Sequence, residues 1–155
     1  SEDVAYYTNS VHLCADAPVS LVERIRKQAQ FHSLIESGAI THAFIGEERP
    51  SPQAIETLMR ETFFRTQSAQ VTLSPEFTYC LDCGHNMRGI KEKCTTCGSA
   101  HVEGETRVVG YFSKINNWNK SKRNGELPAR QRGIYAVEAA AAPVAACVET
   151  QPAEA

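Results

Sequence analysis

Two Cys-x-x-Cys-Gly units constrain the fold of this chain more than any other feature of its sequence. They occupy Cys80–Gly84 and Cys94–Gly98, and nine residues separate them. Each unit forms a tight knuckle in which two thiolates point at one ion, while the glycine accepts a positive φ. Two such knuckles supply four sulfurs in a tetrahedron, roughly 2.3 Å from a zinc ion. The spacing therefore predicts a zinc ribbon over residues 77–104 with the ligands Cys80, Cys83, Cys94 and Cys97.

A shell of four thiolates leaves no position for a water molecule, so the predicted site is structural rather than catalytic. Iron is the alternative metal for four thiolates, and a redox dithiol is a weaker alternative because it needs no second matching knuckle. His85 and His101 lie close to the knuckles in the sequence. Since four cysteines complete the shell, we expect both histidines at the surface or just outside the ligands.

The segment before the ribbon predicts an α/β unit. A helix is expected from the Asp16–Ser20 region to about Ile35, with Pro18 in its first turn and Gly38 as a stop. A strand over residues 39–45, a helix opening at Pro50–Pro52 and a strand at Val71–Leu73 follow. Strand, helix and strand at this spacing predict a crossover unit. The fold class is therefore α+β: a small α/β crossover unit over residues 1–76, followed by the ribbon.

Charge is unevenly distributed along the chain. Residues 107–135 contain seven Lys and Arg and one Glu, whereas the whole chain has a net charge of −2. A polar loop is expected over residues 117–133. Residues 136–155 are rich in Ala, Pro and Glu, which predicts a disordered or weakly helical tail. The basic stretch allows a nucleic-acid-binding ribbon as an alternative function. No apolar run approaches the roughly 20 residues that span a bilayer, and a reducing cytoplasm is expected.

Residues after the ribbon carry a family resemblance. Arg107–Tyr111, followed by Asn116–Lys120, resembles the glycyl-radical motif of anaerobic (class III) ribonucleoside-triphosphate reductases. Earlier stretches, Tyr6–His12, Pro18–Ser20 and Gly38–Ile40, are similar to the same family in the same order. In that family the radical glycine follows a four-cysteine zinc site near the C-terminus. From residues alone, a glycine at this position indicates only a strand with a bulge.

The resemblance implies that Gly110 stores an organic radical within a glycyl-radical loop over residues 105–135. It implies an activating enzyme with an iron–sulfur cluster and S-adenosylmethionine, which removes hydrogen from Gly110. It also implies a barrel part of the reductase whose thiyl cysteine acts on the ribonucleotide, and a homodimer of the full enzyme. Neither Cys14 nor Cys147 matches that thiyl position, so the chain alone is expected not to reduce nucleotides.

The resemblance leaves two kinds of chain open. The sequence begins Ser1-Glu2-Asp3 without an initiator Met, which favours a fragment or processed product of a longer reductase. A separate glycyl-radical subunit that assembles with a barrel subunit is the alternative. Residues 1–76 are interpreted as the C-terminal portion of the barrel-type domain, and the product of the complete enzyme is expected to serve DNA precursor synthesis.

Overall fold

The computed structural model describes residues 5–8 and 10–140 as a mixed α/β fold. Helix α1 (Leu21–His32) precedes a parallel pair of strands, β1 (Thr41–Gly46) and β2 (Val71–Pro75), which helix α2 (Pro52–Arg65) connects. The predicted strand–helix–strand unit is thus confirmed. Within the described ranges no helix combines the length and the apolar character needed to cross a bilayer.

Helix α1 begins directly after Ser20, one of the two caps that the sequence offers, and ends earlier than the sequence suggests. The Ser20 hydroxyl accepts the Glu23 N–H at 3.2 Å and caps the first turn, so Pro18 lies before the helix and not in its first turn. The helix ends at His32, six residues before the expected stop at Gly38. Its buried face packs with α2 and β1 in a core whose members are Leu21, Ile25, Ala43, Ile45, Ala54, Leu58, Tyr135 and Val137.

The second sheet is antiparallel and has four strands: β3 (Phe77–Cys80), β4 (Asn86–Arg88), β5 (Val102–Arg107) and β6 (Phe112–Lys114). Its strand order is β4-β3-β5-β6. Strand β5 crosses the boundary drawn from the sequence between residues 104 and 105. The cysteine knuckles and the turn that holds Gly110 therefore belong to one sheet.

The segment after β6 is helical, which corrects the expected polar loop over residues 117–133. A 3-10 turn at Ile115–Asn117 leads to a π-helical turn at Lys122–Glu126 and to helix α3 (Leu127–Arg132). Ile115, Trp118 and Leu127 form a small buried cluster beneath this segment. Apolar packing within that cluster, rather than local helix propensity, stabilises the helical conformation of this segment.

The chain then returns to the core shared by α1, β1 and α2. Tyr135 is buried and its hydroxyl donates to the Ala15 carbonyl at 2.7 Å. A short helix α4 (Val137–Ala140) follows, in which Val137 is fully buried. The beginning of the predicted tail is therefore packed into the core. Cys147 and the rest of that tail lie outside the described residues.

Candidate metal centre and glycine hairpin

The two knuckles have the same backbone geometry. The N–H of Gly84 donates to the Cys80 carbonyl at 3.0 Å, and the N–H of Gly98 donates to the Cys94 carbonyl at the same distance. Gly84 has a φ of 72° and Gly98 a φ of 74°, which is the left-handed region that the spacing predicts. Each knuckle is thus closed by a glycine that a larger residue would strain.

The four sulfurs of the knuckles converge. All lie within 4.8 Å of one another, and the pairs Cys80–Cys97 and Cys83–Cys94 are 3.6 Å apart. Ligands at roughly 2.3 Å around a tetrahedral zinc ion are separated by about 3.8 Å. All four thiols are free, so none of these pairs is a disulfide. The ligand set predicted from spacing therefore has the geometry that a four-thiolate metal site requires.

Backbone hydrogen bonds favour the thiolate form at Cys94. The backbone N–H groups of Cys97 and Thr96 lower the pKa of the Cys94 thiol to about 6. The Thr96 N–H lies 3.4 Å from the Cys94 sulfur. At Cys83 a backbone hydrogen bond from His85 is outweighed by hydrogen bonds shared with the other thiols, which raise its pKa to about 12, and the pKa of Cys97 is also raised. Because a bound cation requires deprotonated sulfur, the backbone donors prepare Cys94 for binding, whereas the cation itself would have to displace the protons that the other sulfurs share.

The two histidines near the knuckles stay outside the ligand set. His85 is exposed, and His101 has its Nδ1 3.2 Å from the Asp82 carboxylate. The Ser99 hydroxyl also donates to Asp82. Since Asp82 lies in the first knuckle and Ser99 directly follows the second, this carboxylate ties the knuckles together. Both histidines are therefore where the sequence predicts them.

A single methyl group at Gly98 tests the knuckle conformation. No atom lies within 4 Å of a Cβ built at Gly98, so Gly98→Ala adds only backbone strain. We expect a loss of about 1–2 kcal/mol, seen as a 5- to 30-fold weaker zinc affinity in chelator competition. Gly38→Ala is the matched control, because a Cβ at Gly38 also meets open space and its φ is not positive. Equal zinc affinities in the two variants would contradict the assigned strain.

Gly110 lies in the turn between β5 and β6, so it is not a bulge within a strand. The Val108 N–H donates to the Tyr111 carbonyl at 3.1 Å and closes this turn. Gly110 is exposed, and a Cβ built on it lies 3.8 Å from Ile40 Cδ1. An ordinary van der Waals contact of that kind, together with a φ outside the left-handed region, means that the fold itself does not require glycine here.

Two arginines hold the turn: Arg107, which opens the motif quoted from the sequence, and Arg130, which the sequence did not single out. The Arg107 guanidinium donates to the Gly110 carbonyl and lies 4.7 Å from the centre of the Phe112 ring. Arg130 is only 3% exposed and donates to the carbonyls of Arg107 and Val108. A run of cations usually indicates a solvated face. The available signal was Glu126, the single acidic residue in that run, placed one helical turn before Arg130.

Most cations of the basic stretch, residues 107–135, form ion pairs within the fold. Four of its seven cations form ion pairs with carboxylates, namely Lys114 with Glu103, Lys122 and Arg130 with Glu126, and Arg132 with Asp16. Pairing of this kind reduces the positive surface on which the alternative, nucleic-acid binding, depends.

Strand β5 connects the candidate metal centre to the turn that contains Gly110. Cys80 on β3 pairs with Val102 at the start of β5, and Arg107 at its end pairs with Phe112 on β6. Five residue-to-residue steps along the strand separate the two ends, which is about 17 Å. Cys14, by contrast, is exposed and is not a member of the sulfur cluster, and its thiol donates to Asp16 at 3.0 Å.

Comparisons with known proteins place the chain in a family. The family model described as anaerobic ribonucleoside-triphosphate reductase matches residues 1–132 of the chain. A solved structure titled anaerobic ribonucleotide reductase superposes with a TM-score of 0.58 and 27% identity, covering 72% of this chain and 17% of that one. The Thermotoga maritima anaerobic ribonucleotide reductase, solved in complex with dATP and CTP, gives a TM-score of 0.52 at 25% identity and covers 69% of this chain.

The chain spans only 17% of the length of each of these two solved reductases. The comparison with curated protein sequences finds no match.

Proposed function

This chain belongs to the anaerobic ribonucleoside-triphosphate reductase family, and on that premise we propose that it is the radical-carrying C-terminal part of such a reductase. Gly110 stores the radical, and the four knuckle cysteines hold a structural zinc ion. The complete enzyme converts ribonucleotides to deoxyribonucleotides for DNA synthesis. The thiyl cysteine that acts on the substrate lies outside this chain, in a barrel part of the same or a separate polypeptide.

One observation carries the proposal: Gly110 is exposed at a turn whose conformation does not itself demand glycine. A carbon-centred radical on the backbone is most stable when planar, between its amide nitrogen and its carbonyl group. A Cβ would crowd that planar geometry, and glycine alone lacks one. The chemistry of a stored radical therefore explains a glycine that packing leaves unexplained.

In the proposed reaction Gly110 loses one hydrogen atom and later regains one. An activating enzyme, which supplies radical chemistry from S-adenosylmethionine and an iron–sulfur cluster, takes one hydrogen atom from the Gly110 α-carbon. The radical glycine later regains a hydrogen atom from the thiol of the barrel cysteine, which becomes the thiyl radical. The exposed position of Gly110 lets it meet both partners in turn. A homodimer of the full enzyme belongs to the same proposal.

The zinc ion would contribute folding free energy rather than chemistry. Its four thiolate ligands leave no open position for substrate or water. By fixing β3 and β5 at one end of the sheet, the metal would give the β5–β6 hairpin a rigid base. The carbonyl of Gly110 and the turn around it are held from the other side, by Arg107.

The proposal is tested by electron paramagnetic resonance under anaerobic conditions. The zinc-loaded chain, supplied with the barrel part, is treated with the activating enzyme and S-adenosylmethionine. We expect a doublet, because one α-hydrogen remains on the radical carbon. Chain grown with glycine deuterated at Cα should collapse this doublet to a narrower single line. Absence of any organic radical under conditions that activate a known reductase would contradict the proposal.

A further inference from the structure

Arg130 is a buried cation with several specific partners. Its Nη1 donates to the Arg107 carbonyl at 2.5 Å and its Nη2 to the Val108 carbonyl at 3.0 Å. Its Nε donates to Glu126 at 3.1 Å, and Glu126 is only 5% exposed. The two carbonyls lie at the end of β5, 22 and 23 residues earlier in the chain. The guanidinium therefore joins helix α3 to the start of the Gly110 turn.

Aromatic rings complete the surroundings of this guanidinium. Its central carbon lies 4.0 Å from the centre of the Phe44 ring and 5.1 Å from that of Trp118. Rings at these distances attract a cation and exclude water from it. Glu126 in turn receives Lys122 at 2.6 Å, so the carboxylate is fixed from two sides. A buried charge is tolerated only where its partners are in place, which makes this geometry well determined.

The chemistry of the site explains why the residue is arginine. A planar guanidinium presents donors in several fixed directions, and here it serves two carbonyls and one carboxylate at once. A lysine ammonium is a single point of charge and cannot reproduce this fork. Arg130 bonds the backbone two and three residues before Gly110, while the Arg107 side chain bonds the Gly110 carbonyl.

We infer that Arg130, oriented by Glu126, is a positioning residue that fixes the direction of the Gly110 turn for hydrogen-atom transfer. This inference rests on the proposed function. It assigns a role in the radical reaction to a helix that follows the glycine by some twenty residues.

The test compares three variants of the full zinc-loaded chain. Arg130→Lys keeps the charge and loses the fork, and Glu126→Gln keeps the shape and loses the charge that orients Arg130. Arg123→Lys is the matched control, because Arg123 is exposed in the same basic stretch. Amide hydrogen exchange is followed at Val108, whose N–H closes the turn. The Cys80 amide, bonded to the His85 carbonyl at 2.9 Å, reports whether the metal centre remains folded.

We expect Val108 exchange to rise about tenfold or more in Arg130→Lys, because bonds to a charged group are lost. Glu126→Gln should raise it in the same direction, and Arg123→Lys should stay within about twofold of the wild type. Cys80 exchange and zinc content should not change. The radical yield per chain, measured after activation, should fall in Arg130→Lys and Glu126→Gln alone.

Two results would overturn the inference. One is unchanged Val108 exchange in both Arg130→Lys and Glu126→Gln. The other is full radical yield in variants whose Val108 exchange has risen. If Arg130→Lys loses its zinc, Glu126→Gln decides the matter by the same two measurements. A wild-type chain without any radical defeats the proposed function first, whereas a wild-type radical retained in Arg130→Lys defeats only this inference.

Discussion

Replacement of Gly110 with alanine is expected to abolish the radical signal and leave the fold unchanged. The added Cβ would lie 3.8 Å from Ile40 Cδ1, an ordinary contact, and the residue is exposed. Stability should therefore change by less than about 0.5 kcal/mol, as for most surface substitutions. The methyl group nevertheless crowds the planar radical and removes the second α-hydrogen. We expect no doublet above background in Gly110→Ala under conditions that activate the wild type.

The control for this experiment is Gly38→Ala, which adds the same methyl group at a site with open space and no positive φ. It should give the wild-type doublet at the wild-type yield. Urea unfolding of both variants separates loss of the radical from loss of structure. A doublet of normal intensity in Gly110→Ala would show that the radical resides elsewhere and would contradict the assignment.

The geometry of the two cysteine knuckles could be predicted because it is local. Each knuckle is closed within five residues by a bond from a glycine N–H to the first cysteine carbonyl, so spacing alone fixes where two sulfurs point. The approach of the two knuckles then follows from the pairing of β3 with β4 and β5. The strand–helix–strand unit was predictable for a similar reason, since Ser51 and Pro52 mark the start of α2 in the sequence itself.

The anchoring of the Gly110 turn could not be predicted in this way. The segment from Lys122 to Arg132 is polar and contains Gly125 and Pro128, which favours a loop when only neighbours are considered. Its helical path depends on burial of Leu127 and Arg130 against residues far away in the chain. A single arginine in a polar segment gives no sequence pattern that would predict its burial. The carbonyl groups that Arg130 bonds lie near it only once the sheet has folded.

The position of Gly110 could be predicted only in part, because it depends both on the local sequence and on pairing between strands. The β-rich composition of Glu105–Phe112 indicates extended chain, but the place where it reverses is set by pairing of Arg107 with Phe112. Nothing in the local sequence distinguishes a bulge from a turn there. The proposed role of this glycine comes from the family, and its exposure in a turn is what the structure adds.

Replacement of Cys94 with serine is expected to have the largest effect on stability. Cys94 is 3% exposed and packs with Cys80 and Met87 at the centre of the module. Structural zinc contributes on the order of 10 kcal/mol of apparent folding free energy to small modules of this kind, and a serine hydroxyl is a poor substitute for a thiolate. We expect zinc content to fall from one ion per chain to well below one. Amide protection should be lost through β3, β4 and β5.

The same variant tests how the metal supports the radical. Without the ion, pairing of β3 with β5 loses the end that the knuckles hold, so the β5–β6 hairpin loses its base. We expect radical yield to fall to background although Gly110 itself is unchanged. Cys14→Ser is the control, because Cys14 is exposed outside the cluster, and it should keep both zinc and radical. If Cys94→Ser lost its metal and still formed the radical at full yield, the ion would not support the hairpin, and the structural role proposed for the four cysteines would be wrong.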